Sequence, residues 1–377
     1  QVKQEKAYYG IAVTASHNPA IYNGVKLFTQ GGRDASLEVT DEIVRYIENV
    51  KKVHCMPFEK ATEEGLLTVI DPFNDYIDEI MGFLDKSAIM KARLRVLLDP
   101  MYGVSKTSLQ TILLTLRCDV DVINDRHDTL FGGKLPSPSV ATLRKLSTMV
   151  VEEGYDIGLG TDGDADRLGV IDDQGRFIHP NEILMLLYYY LVKHKGWRGD
   201  VIRNIATTHV LDDMAADFGY KCHEVPVGFK HISAKMEETD AVIGGESSGG
   251  LTVRGHIFGK DGIFAASLLI EMMAVTKKNL SLILKEIYDR YGYRVMSENS
   301  YAFKSEDKER LMKILYKDRL IPDFDVPVER LSYEDGLKVY FKNGGWLVAR
   351  FSGTEPLLRV FAEMPDQQQA DDVCNRM

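Results

Sequence analysis

The sequence predicts an α/β protein of several domains whose last section is a small antiparallel α+β domain. Runs typical of strands and of helices alternate along most of the 377 residues. Such alternation favours layered α/β folds with mostly parallel sheets. Near the C-terminus, two strand-like runs instead flank Asn343-Gly344-Gly345, a turn sequence typical of a β-hairpin. Because a domain usually holds about 100–200 residues, the length predicts more than one domain.

The alternation can be followed along the chain. Strands are predicted at 9–13, 94–99, 118–124, 155–160, 168–172, 200–204 and 241–245. Helices are predicted at 106–116, 140–152, 181–194 and 262–276. The last section is predicted as strands 337–342, 346–351 and 357–364, followed by a helix at 367–377. Turn residues near 71–72, 173–175 and 291–292 predict domains at 1–72, 73–176, 177–291 and 292–377, and the front of the first domain is expected to be absent.

Composition excludes several classes of protein. A net charge of −10 argues against binding to nucleic acid. Apolar stretches are too short for a membrane span, and the polar first residues do not resemble a signal peptide. The four cysteines are too scattered for a zinc site or a disulfide framework, which suits a reducing compartment. We therefore expect a cytoplasmic protein without nucleic-acid or membrane partners; a monomer or a homodimer is expected.

The most informative stretch is Thr161-Asp162-Gly163-Asp164-Ala165-Asp166-Arg167, between two predicted strands. Its carboxylates Asp162, Asp164 and Asp166 form an oxygen-ligand cluster that suits Mg²⁺, an ion that usually leaves positions for water or phosphate. An EF-hand would need glycine at the sixth position and glutamate at the twelfth, where Arg167 and Asp173 stand. A solvated acidic turn is the competing interpretation.

A second loop, Thr14-Ala15-Ser16-His17-Asn18-Pro19, follows the first predicted strand, and α/β folds place chemistry after strand ends. A phosphoryl group on Ser16 would give the aspartate loop a further metal ligand, and Lys26 could then exchange a proton with a substrate hydroxyl. Without a G-x-S-x-G sequence, a serine hydrolase is a weak interpretation. The alternative is a plain turn capped by Asn18.

Two glycine-rich segments are candidate ligand contacts. In 244–250 the glycines allow the backbone to approach a ligand closely, and Glu246 and Ser248 can hydrogen-bond sugar hydroxyls. In 255–262, Lys260 stands at the start of a predicted helix, where it can face a phosphate. An ordinary glycine-rich turn and a solvated helix start are the competing interpretations.

The turn Arg350-Phe351-Ser352-Gly353-Thr354-Glu355-Pro356 joins two predicted strands, and Arg359 follows it. Two arginines, two hydroxyls and backbone N–H groups that meet at one turn would suit a phosphate dianion, so we expect a phosphate site here. Two unrelated arginines on a strand surface are the alternative.

Together the four loops resemble those of the α-D-phosphohexomutase family, in the family's order and over essentially the whole chain. The family carries T-A-S-H-N-P, D-G-D-x-D-R, G-E-x-S-G and R-x-S-G-T-E-P sequences, and each occurs here. The resemblance implies three related mixed α/β domains, a TATA-binding-protein-like fourth domain and an active cleft between them. It also implies an intramolecular phosphotransferase of carbohydrate metabolism, of the phosphoglucomutase or phosphomannomutase type, with Mg²⁺ and a hexose 1,6-bisphosphate activator or intermediate.

Carried over by position, the resemblance implies a role for each loop residue. Ser16 would be the phosphoserine and, with Asp162, Asp164 and Asp166, a metal ligand. Arg167 would steady the phosphoserine, while His17 and Lys26 would lie beside the transferred phosphoryl group, Lys26 as general acid/base. The implied substrate contacts are Lys230, Glu246, Ser248, Lys260, Arg350, Ser352, Gly353, Thr354 and Arg359.

The resemblance favours glucose phosphate as the substrate. The segment 255–262 is similar to the phosphoglucomutase loop, and Gly250 stands where many mutases that act on both mannose and glucose phosphates have histidine. The turn 227–230 is similar to a sugar-specificity loop. Phosphomannomutase and phosphoglucosamine mutase activities are alternatives. Two other classes are a Mg²⁺-dependent sugar-phosphate phosphatase and a non-catalytic regulator that binds a sugar bisphosphate.

Overall fold

A computed structural model of the chain describes residues 1–352 and 356–377. The chain divides into two units. One is made of Gln1–Phe177 with His256–Lys277, and the other of Ile178–Gly255 with Lys278–Met377. Among the described residues, the helices all lack the length and apolar character that crossing a membrane requires.

The first unit begins with an antiparallel sheet. Its strands are β1 (Tyr9–Val13), β2 (Val25–Thr29) and β3 (Arg33–Asp34). The helices α1 (Leu37–Glu48), α2 (Phe58–Glu63), α3 (Phe73–Phe83) and α4 (Lys86–Ala92) follow. This sheet departs from the mostly parallel pairing that the sequence predicted, because residues 14–24 hold no crossover helix of the kind that joins parallel strands.

A mixed sheet follows, with the strand order β5-β4-β6-β7-β8. Its elements are β4 (Arg95–Asp99), α5 (Ser105–Thr115), β5 (Asp119–Val122), α6 (Arg144–Glu153), β6 (Ile157–Thr161), β7 (Leu168–Ile171) and β8 (Phe177–Ile178). Strand β4 is parallel to β5 and β6, whereas β6 is antiparallel to β7. Residues 162–167 are too few for a parallel crossover, so the aspartate loop has to join an antiparallel pair.

The first sheet of the second unit repeats this arrangement. Its elements are α7 (Pro180–Lys193), β9 (Val201–Asn204), α8 (Val210–Phe218), β10 (Cys222–Val225), α9 (Phe229–Thr239), β11 (Ile243–Gly245) and β12 (Leu251–Val253). The strand order is β10-β9-β11-β12, with β9 parallel to β10 and β11, and β11 antiparallel to β12. The two mixed sheets therefore share one topology, and each places a candidate loop between its antiparallel strands.

The C-terminal sheet is antiparallel, with the strand order β13-β17-β16-β15-β14. After α10 (Gly262–Thr276) and α11 (Leu280–Tyr291) come β13 (Val295–Ala302), α12 (Lys308–Met312), β14 (Val328–Ser332), β15 (Leu337–Phe341), β16 (Trp346–Phe351), β17 (Leu357–Met364) and α13 (Gln367–Arg376). The predicted hairpin is confirmed, because β15 pairs with β16 across the turn 342–345. Helix α13 packs on β13 and β17.

Helix α10 belongs to the first unit, although it follows a strand of the second. It packs against α4, α5, β6 and β7, and the side chains of 262–274 are buried. A helix that is apolar on all sides is stable only when it is enclosed. This position sets the start of α10 beside the aspartate loop, where the Gly262 N–H donates to the Ala165 carbonyl at 3.0 Å.

The predicted elements agree with the structure to within a few residues. Leu109, Ile112, Leu113 and Leu116, the predicted apolar face of α5, are all fully buried. The largest shift is in α6, which was predicted from 140 and begins at Arg144. The preceding residues form a side-chain turn, in which the Thr142 hydroxyl donates to the carbonyl of residue 137 at 2.6 Å, and such bonds compete with helix formation.

A buried charged cluster stabilises the second unit. Arg203, only 3% exposed, donates to Asp212 at 2.9 and 3.1 Å and to Glu224 Oε2 at 2.5 Å. Lys338 of β15 donates to the same Glu224 oxygen at 2.5 Å. Burial opposes ionisation of Glu224, but His209, Arg203 and Lys338 outweigh it and hold the pKa of this carboxyl well below its usual range. Glu224 therefore compensates two buried cations.

Replacing Glu224 with glutamine should destabilise the protein by about 3 kcal/mol, because Lys338 and Arg203 then lose a shared counter-charge in a buried setting. Asp212 still pairs with Arg203, which keeps the expected loss at the lower end of the range for broken buried pairs. Calorimetric unfolding measures it. Glu238→Gln is the control, since Glu238 is 66% exposed beside Lys235 and its pair contributes at most about 1 kcal/mol. Equal unfolding midpoints for the two variants would contradict the prediction.

Candidate active site

The first unit brings Ser16 and the aspartate loop together. Ser16 Oγ lies 3.3 Å from Asp162 Oδ2 and 3.2 Å from Asp164 Oδ1. Ser16 follows the end of β1, and the aspartates lie between β6 and β7. A Cβ atom at Gly163 would stand 2.7 Å from the Ser16 carbonyl oxygen, so glycine allows the two loops to approach this closely.

Both loops contain a residue in the left-handed backbone region. Ser16 has φ +50° and Ala165 has φ +60°. For residues other than glycine this conformation costs about 1–3 kcal/mol, and it persists only where neighbouring contacts hold it. Thr14 supplies such contacts: its hydroxyl oxygen accepts from the Ser16 N–H at 2.9 Å and the hydroxyl donates to Asp164 Oδ2 at 3.0 Å. Thr14 was not among the predicted site residues.

Two lysines compensate the carboxylates. Lys26 Nζ lies 3.0 Å from both Asp164 Oδ2 and Asp166 Oδ2, and Lys260 Nζ lies 2.7 Å from Asp166 Oδ2. Burial opposes the charged form of Lys26, but Asp166 and Asp164 outweigh it and raise the pKa of the ammonium group. Burial likewise opposes ionisation of Asp166, and Lys260 and Lys26 overcome it, so the pKa of Asp166 is lowered. Lys26 and Asp166 are therefore both charged at neutral pH.

His17 connects Arg167 to Ser16. Arg167 Nη1 lies 3.4 Å from His17 Nε2, and because arginine can only donate, Nε2 must be the unprotonated nitrogen. The ring proton then lies on Nδ1, which is 3.3 Å from Ser16 Oγ and donates to it. Burial, together with Arg167 and Lys260, lowers the pKa of His17 to about 4. The imidazole is thus neutral at physiological pH and orients the Ser16 hydroxyl.

The aspartate loop has the donor set that a magnesium ion prefers. Asp162, Asp164 and Asp166 each offer an oxygen, and these atoms lie within 4.8 Å of one another. Asp162 is fully buried, and burial, reinforced by Asp166 and Asp164, raises its pKa to about 7. Among the described residues, Asp166 Oδ1 is a buried oxygen without a hydrogen-bond partner. A divalent cation would relieve the repulsion and coordinate such an oxygen, so the residues fit Mg²⁺.

Lys260 is placed by a buried cluster that sequence reasoning did not find. The next residue, Asp261, caps α10 by accepting from the Phe264 N–H at 2.9 Å. Its carboxylate also accepts from the Tyr76 hydroxyl at 3.0 Å and from His256 Nε2 at 2.8 Å. An aspartate before an apolar helical run is a recognisable N-cap in the sequence. The partners Tyr76 and His256 carry no such signal.

A cavity of about 560 Å³ opens beside this cluster, a volume typical of small-molecule sites. Its lining includes Tyr76, Asp164, Asp166, Lys260 and Asp261. Two of the predicted metal ligands, Asp164 and Asp166, and Lys260 therefore border space in which a small anionic molecule can be held.

In the second unit, Glu246 lies in the segment 244–250, which was predicted to bind sugar hydroxyls and is called the sugar loop below. Its Oε1 accepts from the Gly228 N–H at 2.9 Å, and the Ser248 hydroxyl donates to its Oε2 at 3.4 Å. The bond to Gly228 places the 227–230 turn beside Glu246, and Lys230 lies half-exposed in the first turn of α9. The sequence predicted both segments, but not the bond between them.

Arg350 and Arg359 lie directly opposite each other on β16 and β17. Directly opposite residues of an antiparallel pair share one face of the sheet, and like charges there repel each other. Arg350 Nε donates to Asp335 Oδ1 at 2.8 Å, and the Ser352 N–H donates to the Leu357 carbonyl at 2.8 Å. The predicted contacts Gly353 and Thr354 lie outside the described residues.

Known families match the chain along its length. Their descriptions are phosphoglucomutase/phosphomannomutase alpha/beta/alpha domain I at 1–54, domain II at 74–175, domain III at 179–291, and the C-terminal domain at 303–377. The chain belongs to the phosphoglucomutase/phosphomannomutase family. The resemblance that the four loops carry is therefore confirmed, and the family's members are phosphohexomutase enzymes.

Individual relatives agree with this assignment. A phosphoglucomutase/phosphomannomutase of Thermococcus kodakarensis is 30% identical over 364 residues, covering 96% of this chain and 76% of the relative. A phosphoglucosamine/phosphogalactosamine mutase of Sulfurisphaera tokodaii is 26% identical over 373 residues, covering 98% of this chain and 79% of the relative.

Solved structures of family members show the same fold. A candidate phosphomannomutase of Thermus thermophilus matches with a TM-score of 0.84 and 26% identity, over all of this chain and 78% of that chain. An Aspergillus fumigatus N-acetylphosphoglucosamine mutase, solved with GlcNAc-6P and magnesium, matches with a TM-score of 0.61 and 17% identity. That match covers 99% of this chain and 88% of that chain, and it supports the fold alone.

Magnesium should raise the thermal unfolding midpoint of the wild-type protein, because a ligand that binds only the folded state stabilises it. Asp164→Asn should remove most of this response, since the substitution removes one charged oxygen ligand while keeping the side-chain volume. Differential scanning fluorimetry with and without excess Mg²⁺ measures the shift. Asp125→Asn is the control, because Asp125 is a surface carboxylate paired with Lys106 outside the loop. An undiminished Mg²⁺ shift in Asp164→Asn would contradict the assignment.

Proposed function

We propose that the protein interconverts hexose 1-phosphate and hexose 6-phosphate, with glucose phosphate as the preferred substrate. The observation that carries this proposal is the position of Ser16 Oγ, within 3.3 Å of two carboxylates of the aspartate loop. A hydroxyl in that position suits a phosphoryl carrier whose oxygens share a metal ion with the loop. Lys26, Arg167 and Lys260 add positive charge around it.

In the proposed reaction, a phosphoryl group on Ser16 moves to the available hydroxyl of a hexose monophosphate. The bond between Ser16 Oγ and phosphorus breaks, a new bond forms between phosphorus and the sugar oxygen, and the hydroxyl proton passes to Lys26. Lys26 can accept this proton only as the neutral amine, so it must first lose to solvent the proton that Asp164 and Asp166 stabilise in this structure. The product of this half-reaction is a hexose 1,6-bisphosphate. Return of its other phosphoryl group to Ser16, with Lys26 giving back the proton, leaves an isomerised monophosphate and restores the phosphoserine.

The first-unit residues have separate tasks in this scheme. Asp162, Asp164 and Asp166 would hold Mg²⁺, which when bound supplies positive charge to the phosphoryl oxygens and neutralises the carboxylates around Lys26. Arg167 steadies the phosphoserine, and His17 donates to the Ser16 oxygen from Nδ1. Phosphoryl transfer depends mainly on such positioning and charge stabilisation, so a few fixed cations and donors are sufficient.

The parts of the substrate that do not react are recognised mainly by residues of the second unit. Glu246 and Ser248 are proposed to bind sugar hydroxyls, and Lys230, with Lys260 of the first unit, to contact the phosphosugar. The facing arginines of β16 and β17 support a phosphate site, because two guanidinium groups on one face of the sheet can both donate to a dianion. The residues proposed to bind the phosphate that is not transferred are Arg350, Ser352, Gly353, Thr354 and Arg359.

Substrate identity is tested with glucose 1-phosphate, mannose 1-phosphate and glucosamine 1-phosphate in coupled assays. These sugars differ by groups whose contacts discriminate by only a few kcal/mol, so the three kcat/KM values have to be compared directly. Highest kcat/KM for glucose 1-phosphate supports the proposal. Release of inorganic phosphate in place of an isomer would show a phosphatase, and tight binding of a bisphosphate without turnover would show a regulator.

Ser16→Ala should abolish mutase turnover, because the phosphoryl group then has no carrier oxygen. Intact-mass analysis of the active wild-type protein should show one added phosphate, and the variant should lack it. His54→Ala, a change in an exposed residue outside the loops, is the control and should keep both the phosphate and the activity. Near-normal turnover by Ser16→Ala would contradict the assignment.

Arg350→Ala should lower kcat/KM by about 10–100-fold, because a charge-assisted contact with a phosphate contributes about 1.5–3 kcal/mol. Binding energy from the remote phosphate also orients the reacting end. Steady-state kinetics on a hexose monophosphate measure the effect. Arg330→Ala is the matched control, since Arg330 is an exposed strand arginine of the same sheet, stacked on Tyr340. Wild-type kinetics for Arg350→Ala would remove this turn from the site.

A further inference from the structure

Asp335 stands in the turn that leads into β15, directly beside the strand that carries Arg350. The following residue, Gly336, has φ +88°, and a Cβ atom there would lie 2.7 Å from the Ala349 carbonyl oxygen and 3.3 Å from Arg350 Cβ. Only glycine fits this conformation and this approach. The turn is therefore pressed against β16, and the Asp335 carboxylate is held beside the arginine side chain.

The Asp335 carboxylate uses its two oxygens for different partners. Oδ1 accepts from Arg350 Nε at 2.8 Å, and Oδ2 accepts from the backbone N–H of Val227 at 2.7 Å. The side chain is only 17% exposed, so competition from water is limited. Because the bond to Arg350 engages Nε, it restricts the orientation of the whole planar guanidinium group.

The Val227 contact extends this arrangement to the sugar loop. The next backbone N–H, that of Gly228, donates to Glu246 Oε1 at 2.9 Å. The Val227 side chain packs against a buried apolar group that includes Trp346 and Val348 of β16. Two consecutive N–H groups of the 227–230 turn are thus held by two carboxylates, one beside Arg350 and one in the sugar loop.

We propose that Asp335, itself anchored by the Val227 N–H, is a positioning residue that orients Arg350. The inference rests on the proposed function, in which Arg350 binds the phosphate that is not transferred. A long arginine side chain loses conformational freedom when it binds an anion, and orientation before binding reduces that cost. Asp335 therefore acts on substrate affinity through Arg350.

The test is a double-mutant cycle with steady-state kinetics on glucose 1-phosphate. Asp335→Ala should lower kcat/KM by about tenfold, mainly through KM, the size expected for loss of a hydrogen bond between charged groups. In an Arg350→Ala background the same substitution should change kcat/KM by less than about twofold, because the arginine that Asp335 orients is absent. Asp325→Ala, which removes an exposed aspartate paired with Arg376, is the matched control and should leave both constants unchanged.

The outcomes separate this inference from the function on which it rests. Wild-type kinetics for Arg350→Ala would refute the phosphate site itself. An impaired Arg350→Ala with a wild-type Asp335→Ala would overturn the positioning role alone. The positioning role would also be overturned if the two substitutions lowered kcat/KM by independent factors that multiply in the double mutant. A fall in kcat at constant KM would overturn it too, because it indicates a smaller folded fraction. If Asp335→Ala fails to fold, the isosteric Asp335→Asn replaces it in the cycle, and the same criteria apply.

Discussion

The first unit depends on positive charges that neutralise the three clustered carboxylates of the aspartate loop. Asp162, Asp164 and Asp166 lie close enough to repel one another when ionised, and burying such charges without cations is costly. Two lysines provide the cations. Lys26 of β2 and Lys260, just before α10, each lie within 3.0 Å of a carboxylate oxygen. Segments far apart in the sequence are thereby held together by charge. The same excess of negative charge gives the loop its capacity for a divalent cation.

Strand direction explains where the chemistry is placed. In both mixed sheets a buried central strand continues into a short loop and returns antiparallel, at 162–167 and again at 246–250. Loops that follow strand ends are where such folds place binding and catalytic side chains. One topology therefore yields a carboxylate loop in one sheet and the proposed sugar-binding loop in the other. The difference in chemistry lies in the loop residues alone.

Much of this could be predicted from the sequence, because the informative signals are local. The loops, the hairpin at 342–345 and the bounds of α10 each follow from a few consecutive residues. Glu224 and Asp335 could not be predicted. Their roles depend on partners more than a hundred positions away, with Glu224 bonding Lys338 and Asp335 bonding Val227. From the sequence alone, such an acidic residue cannot be distinguished from one that is exposed to solvent. Only the structure shows which cations and N–H groups it binds.

The overall charge of −10 repels an anionic sugar phosphate, so recognition has to come from short-range contacts. In the proposed site the second unit supplies such contacts through Arg350 and Arg359, which lie directly opposite each other on β16 and β17. Asp335 binds Arg350 through one nitrogen of the guanidinium, Nε, and the other N–H donors of the group are the ones proposed to bind phosphate. A stronger counter-charge would satisfy the arginine fully and weaken its affinity for substrate. In this proposal, one aspartate orients the arginine and leaves its remaining N–H donors for the phosphate.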